Sequence, residues 1–300
     1  MASLKAIRRR IASVKSTQQI TKAMKLVAAA RLRRAQDALI AARPYSQALA
    51  RVADSLLTSE GVATGPRPDA NKAMLLAVIG SDRGQCGAYN ANLLRRADEE
   101  RARISAEGEQ VALFAVGKRP VDHYRRNKVE LAERSIDNLP RLATIGLARK
   151  IAARMLADYQ SGAIERAAIA YTRFRSALST TPALEQILPV TPPERAQSER
   201  GGGAETEIAQ PTEYLVEPSR EQLIPVVLRS YVEAAVLHAL LEAEASEQGM
   251  RMSAMDSATN NAGKMINTLT LELNRARQAQ ITRELMDIVG GAEALRGQSQ

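Results

Sequence analysis

The sequence predicts an α/β protein in which long N- and C-terminal helices form an antiparallel coiled coil around an intervening Rossmann-like α/β domain. Three observations predict it. Residues 3–57 contain no glycine and a single proline, Pro44. Residues 226–289 contain no proline at all. Between these stretches, short apolar runs alternate with helix-like segments, the order of a mainly parallel sheet with helical cover.

In the first stretch, apolar or small residues fall at Leu4, Ile7, Ile11, Val14, Met24, Ala28, Leu32, Ala35, Leu39, Ala42, Leu49, Val52 and Leu56. The spacing is mostly three or four, the seam of a helix that winds against a partner. Between Val14 and Met24 the seam weakens, and Thr17, Gln18 and Thr21 are expected at the inward positions. At about 1.5 Å per residue such a helix spans roughly 80 Å and must leave its own domain.

Residues 58–71, with Gly61, Gly65, Pro66 and Pro68, read as a connector. A buried strand is expected at 73–79, then a glycine-rich turn, Gly80-Ser-Asp-Arg-Gly84-Gln-Cys-Gly87, and a helix over 90–107. A strand at 110–116, a short helix at 120–126 and a third strand at 129–133 follow. Residues 142–159 read as a helix with Leu147, Ile151, Met155 and Leu156 on one side, and 167–172 and 183–190 as strands. Residues 192–203, rich in proline, glycine and charge, read as a surface loop. In the last stretch the apolar positions are Leu237, Leu241, Met252, Met255, Ala262, Ile266, Leu269, Leu273, Ala276, Leu285 and Ile288, with Gly249 and Gly263 as points where the helix could bend. The domains are set at 1–58, 72–212 and 213–293.

Charge is concentrated at one end. Residues 1–60 hold 12 Lys and Arg against 3 acids, a surplus equal to the net +9 of the 300-residue chain. An electrostatic partner is thereby directed to the first helix: an acidic protein surface, an anionic membrane or nucleic acid. Tyr45 is the one aromatic residue there, which weakens nucleic acid. No run of about 18 uncharged apolar residues exists, so no spanning helix is expected. With no apolar signal core at its start, the chain is expected in the cytosol, and its basic opening continues into the long helix rather than reading as a transit peptide.

Cys86 is single, and His123 and His238 lie far apart, so neither a disulfide nor a metal is expected. The turn after the first strand has the spacing G-x-x-x-G-x-x-G without the phosphate-pairing lysine. It matches neither the Walker loop nor the dinucleotide fingerprint, and reads as a tight turn using glycine's freedom. No catalytic constellation and no cofactor site emerges.

Three stretches resemble one family, the gamma subunit of F-type ATP synthase. They are residues 7–31 (Ile-Arg-Arg-Arg-Ile-Ala-Ser-Val-Lys-Ser-Thr-Gln-Gln-Ile-Thr-Lys-Ala-Met-Lys-Leu-Val-Ala-Ala-Ala-Arg), residues 80–90 and residues 281–292 (Ile-Thr-Arg-Glu-Leu-Met-Asp-Ile-Val-Gly-Gly-Ala). The resemblance implies a rotor shaft inside a ring of alpha and beta subunits, one copy per complex. Its foot would meet the epsilon subunit and the membrane c ring, on the cytoplasmic face of a bacterial inner membrane. The shaft would couple proton-driven rotation to the beta catalytic sites, with no active site of its own.

Residue by residue, the resemblance assigns Lys22, Met24 and Lys25 to a collar facing the beta subunits, and Arg277, Gln278, Thr282 and Glu284 to the beta catch loops. Tyr214, Leu215 and Glu217 match the foot near epsilon and the c ring. Residues 193–207 look longer than the usual connection, and Cys86 alone cannot supply the redox pair of chloroplast versions. Two other classes stay open: a nucleotide-binding enzyme, which the absent fingerprints oppose, and a coiled-coil nucleic-acid binder, which would show steep salt dependence.

Overall fold

A computed structural model of the chain describes residues 4–57, 73–132, 135–140, 143–177, 179–190, 217 and 219–297. The chain divides into two compact units, Ala28–Arg251 and the pair of segments Met1–Val27 with Met252–Gln300. Helix α1 (Leu4–Leu57) and the last helix, α5 (Arg220–Gly297), each run through both units.

Within the larger unit a four-stranded sheet has the order β2-β1-β3-β4. Its strands are β1 (Ala73–Ile79), β2 (Gln110–Val116), β3 (Arg166–Phe174) and β4 (Thr180–Leu188). β1 pairs in parallel with β2 and β3, while β4 returns antiparallel along β3. Helices α2 (Tyr89–Ala106), α3 (Lys118–Arg126) and α4 (Ile145–Gln160) supply the crossovers. The mixed α/β layering is therefore the one expected, with a hairpin closing one edge.

Alternation along β1 decides the layers, because successive side chains point to opposite faces. Leu75, Ala77 and Ile79 are buried with Ile151, Met155 and Leu156 of α4 and with Leu228, Val232, Val236 and Leu240 of α5. Met74, Leu76 and Val78 are buried with Leu93, Ala97 and Ile104 of α2 and with Val121 and Tyr124 of α3. Both sheet faces are covered, so β1 is apolar throughout rather than alternating. Each fully buried Leu, Ile or Val contributes about 1.5–3 kcal/mol.

One expected strand is corrected. Residues 129–133 form no strand among the described residues, only the isolated parallel bridge Leu113–Leu131, and a second bridge, Val116–Ile136, follows along β2's outer edge. Helix α5 begins at Arg220, ahead of the proline-free stretch, and carries Pro225 inside its second turn. There the missing N–H falls close to the start, where few intrahelical bonds are lost. α5 runs on through Gly249 and Gly263, and both glycines are close approaches. A Cβ on Gly249 would sit 3.3 Å from Ala177 Cα, and one on Gly263 would sit 3.2 Å from Gln18 Nε2.

One 18-residue window of α5 does reach mean hydropathy 1.5, enough by composition to cross a membrane. Hydropathy alone therefore does not exclude a span. Leu228, Val232, Val236 and Leu240 spend that apolar surface on the sheet's core. The connector at 58–71, the loop at 193–207, Tyr214 and Leu215 lie outside the described residues.

Gly117 illustrates backbone constraint. Its φ is +103°, and a Cβ there would lie 2.8 Å from the carbonyl oxygen of Gly80. Gly146, in the first turn of α4, meets nothing within 4 Å. Gly117→Ala should cost about 1–3 kcal/mol of stability in urea unfolding, whereas Gly146→Ala should be neutral or stabilise by up to about 1 kcal/mol.

Candidate functional site

The residues that the sequence singles out on the two long helices all fall in the smaller unit. There Gln18 Nε2 donates to Thr259 O at 3.5 Å, and Lys25 Nζ donates to Asp256 Oδ1 at 2.6 Å. Together with the approach of Gln18 to Gly263, these contacts fix the two helices as antiparallel.

The weak part of the seam is a polar layer. Thr259 Oγ1 donates to Thr21 Oγ1 at 2.8 Å, and Thr21 Oγ1 lies 3.0 Å from Gln18 O. Thr21 is 9% exposed. Gln18 is half-buried, but Thr17 is exposed, its hydroxyl turned back to Ser13 O at 3.1 Å, which corrects its expected inward place. A threonine in a helix can always satisfy its hydroxyl this way, so the apolar gap alone did not say which of the three turns inward.

Lys22 is exposed, while Met24 and Lys25 are half-buried, with Lys25 already held by Asp256. Both members of this ion pair remain substantially in water, so its worth is at most about 1 kcal/mol. Residues 4–27 contain no acid. Exposed Lys5, Arg8, Arg9, Arg10, Lys15 and Lys22 therefore give this stretch an uncompensated positive surface.

On α5, Met255, Ala262 and Leu269 are buried, and Leu273 and Ala276 are half-buried. Beyond them burial stops. Leu285 and Ile288, expected on the seam, are 56% and 70% exposed, as are Ile281 at 47% and Met286 at 67%. In the antiparallel register Leu4, the first described residue of α1, lies opposite the residues around Arg277, and no described residue of α1 reaches further along α5. Arg277, Gln278, Thr282 and Glu284 are all exposed on this continuation. Thr282 Oγ1 donates to Gln278 O at 3.0 Å, and Glu284 Oε1 accepts from Gln280 Nε2 at 2.9 Å.

The larger unit has its own concentration of polar groups, where the turn after β1 meets α5. Arg251, 8% exposed, pairs with Glu247 at 2.7 Å and donates to Gly84 O at 3.2 Å. Asp82 accepts from Lys118 N at 2.9 Å and Leu139 N at 2.8 Å. Cys86 is buried beside this turn, and burial pushes its thiol pKa up. Burial likewise raises the Glu247 carboxyl, with Arg251 pulling the other way. In the turn itself, positive φ falls at Gly87 (59°) and at Gln85 (63°). Gly80 is required instead by space, because a Cβ there would lie 2.5 Å from Pro120 Cγ.

Against known proteins, a family model described as ATP synthase matches residues 3–295. The ATP synthase gamma chain of Desulfitobacterium hafniense is 42% identical over 299 residues, covering 98% of this chain and all of that one. That of Anaeromyxobacter sp. is 44% identical over 302 residues, with 99% and 100% covered. The chain belongs to the ATP synthase gamma chain family.

Solved structures agree in fold. A chain of the central stalk and c-ring structure of Tetrahymena thermophila mitochondrial ATP synthase matches at TM-score 0.58 and 26% identity, covering 80% of this chain and 99% of that one. One from the Euglena gracilis enzyme in rotational state 3 matches at TM-score 0.72 and 23% identity, covering 99% and 96%.

Sequence reasoning missed a buried titratable cluster. The two histidines, which sequence spacing left without companions, each gain one in space: His123 Nε2 lies 2.9 Å from Asp98 Oδ2, and His238 Nε2 lies 3.7 Å from Glu242 Oε1. Glu242, 8% exposed, has its Oε2 buried without a hydrogen-bond partner. Burial pushes its pKa up to about 7, opposed by Arg173 and assisted by Glu185. The i,i+4 spacing of His238 and Glu242 on an apolar helix was the available signal.

A carboxyl raised in the folded state favours folding when protonated. Stability should therefore be greatest below the unfolded pKa near 4.5, fall as pH rises to about 7, and level off above it. Glu242→Gln should flatten that fall and stabilise the chain at pH 8 by about 1–3 kcal/mol, measured by denaturant unfolding at pH 5 and pH 8.

Proposed function

We propose that the chain is the central rotor shaft of a proton-translocating F-type ATP synthase, transmitting c-ring rotation to the beta catalytic sites without chemistry of its own. The observation that carries the reading is the helical pair in the smaller unit, with α5 outrunning α1 and presenting exposed Arg277, Gln278, Thr282 and Glu284 among exposed apolar residues. Membership of the gamma chain family supports it, as does likeness to a chain in a central stalk and c-ring structure.

The physical requirement is pooling of work. One charge crossing 100 mV yields about 2.3 kcal/mol, so several protons must be combined for each synthesis step, and the element that combines them must be stiff. Two helices wound together resist bending and twisting better than one. A rotating surface must also avoid deep traps, and exposed charges suit this because an exposed ion pair is worth only about 0–1 kcal/mol. On this reading Lys22, Met24 and Lys25 form a collar and Arg277, Gln278, Thr282 and Glu284 a catch, both facing the beta subunits. Glu217, with Tyr214 and Leu215, belongs to a foot against the epsilon subunit and the c ring. The complex would hold one copy, peripheral to the bacterial inner membrane on its cytoplasmic side.

The double variant Arg277→Ala/Gln278→Ala should lower coupled ATP turnover of the reconstituted complex several-fold while leaving the thermal unfolding of the isolated chain unchanged. Unaltered turnover in the assembled complex would refute the assignment of the catch. Lys22→Ala should act in the same direction with a smaller effect, since it removes one exposed charge. Lys25→Ala should also lower the stability of the helical pair, because it releases Asp256.

A further inference from the structure

A cavity of about 580 Å³ opens in the larger unit at the C-terminal ends of β1 and β2, between the turn after β1 and helix α5. Its position follows from topology. β1 lies between β2 and β3, and the connection from β1 to β2 runs through α2 on one sheet face while that from β2 to β3 passes through α4 on the other, the reversal at which open α/β sheets form crevices beyond the C-terminal ends of their strands. Its size is within the range of small-molecule sites, about 300–1,000 Å³.

The walls are of three kinds. Ile79, Leu147, Leu240 and Ala243 are buried and apolar. Arg83 and Lys118 are exposed at the rim and Arg31 is half-buried; none of the three forms an ion pair with another described residue. At the floor lies Gln248, 5% exposed, whose Oε1 is buried without a hydrogen-bond partner. The lining acids are largely committed: Asp82 to two backbone N–H groups, Glu244 to Ala143 N at 2.7 Å, and Glu247 to Arg251. Asp137 alone remains open, at the rim.

An unpartnered buried carbonyl costs about 1–3 kcal/mol, so a ligand that donates a hydrogen bond to it is favoured by that deficit. Free guanidinium and ammonium groups at the rim favour an anion at the opposite end, phosphate above all for arginine. Apolar walls between them suit a flat ring. We infer that this cleft binds a nucleoside phosphate, with the base donating to Gln248 at the floor and the phosphates held at the rim by Arg83, Lys118 and Arg31. The glycine-rich turn does not cradle the phosphates; it places Arg83 beside the cleft. This inference is independent of the shaft reading, and either can fail without the other.

The test uses the full chain with ATP, adenosine and pyrophosphate as probes, in equilibrium dialysis at physiological salt. ATP is expected to bind in the micromolar to low millimolar range, with adenosine and pyrophosphate each weaker. Arg83→Ala/Lys118→Ala, both at exposed positions, should weaken ATP and pyrophosphate at least tenfold and leave adenosine within about twofold. Gln248→Leu should weaken ATP and adenosine but not pyrophosphate, and circular dichroism would confirm that each variant is folded. If Gln248→Leu does not fold, Gln248→Glu, which keeps the acceptor, should preserve adenosine binding. Absence of ATP binding at 5 mM would overturn the inference. So would binding that survives the rim variant but disappears in Arg8→Ala/Arg9→Ala/Arg10→Ala, since that would trace it to the basic helix.

Discussion

An apolar stripe on a helix is useful only where something lies along it, and α5 is governed by that constraint over its whole 78 residues. In the larger unit its stripe is buried with the sheet, through Leu228, Val232, Val236 and Leu240. In the smaller unit it is buried beside α1, through Met255, Ala262 and Leu269. Past Arg277 the stripe goes on through Ile281, Leu285 and Ile288, all exposed among the described residues. The same periodic signal thus has three fates, and the third is where an outside partner has something to gain.

This explains what could be read in advance. The seam of α1 is legible because a 3.6-residue period repeated over many turns separates it from the other faces: the apolar seam positions named from Leu4 to Leu56 are buried or half-buried, while Ile20, Leu26, Val27 and Ile40, off that seam, are exposed. β1 is equally plain, since a strand covered on both faces is continuously apolar. Residues 129–133 mislead because alternating Val129 and Leu131 have the pattern of an edge strand, yet the segment meets β2 at Leu131 through an isolated bridge and not a ladder. Leu285 and Ile288 mislead differently: periodicity reports which face is apolar, not whether a partner reaches it.

The polar groups were least legible, because their partners come from remote sequence. Asp82 joins Lys118 and Leu139, Glu244 joins Ala143, and Arg251 joins Gly84. The glycine-rich turn is a case in point. Its spacing excluded a Walker loop, and its glycines are accounted for by Pro120, Arg119 and a positive φ at Gly87. Nothing in the spacing could say that the same turn would bring Arg83, which pairs with no described acid, to the edge of a cleft whose far wall is a helix about 160 residues later in the chain.

The polar layer at Gln18, Thr21, Lys25, Asp256 and Thr259 sets the register of the pair. An apolar seam of Ala, Leu, Ile and Met is tolerant of sliding, because one heptad looks much like the next. Slipping α5 by seven residues in either direction would replace Asp256 opposite Lys25 by Gly249 or Gly263, and Thr259 opposite Thr21 by Met252 or Ile266. Each slip would set Thr21 against an apolar side chain, removing its bond with Thr259, and leave Lys25 without its carboxylate, in exchange for no new polar contact. The layer contributes little to stability at any one bond, yet it penalises every wrong register at once. On the proposed shaft reading, two helices that turn as one body need their relative height fixed, and an apolar seam without such a layer does not fix it.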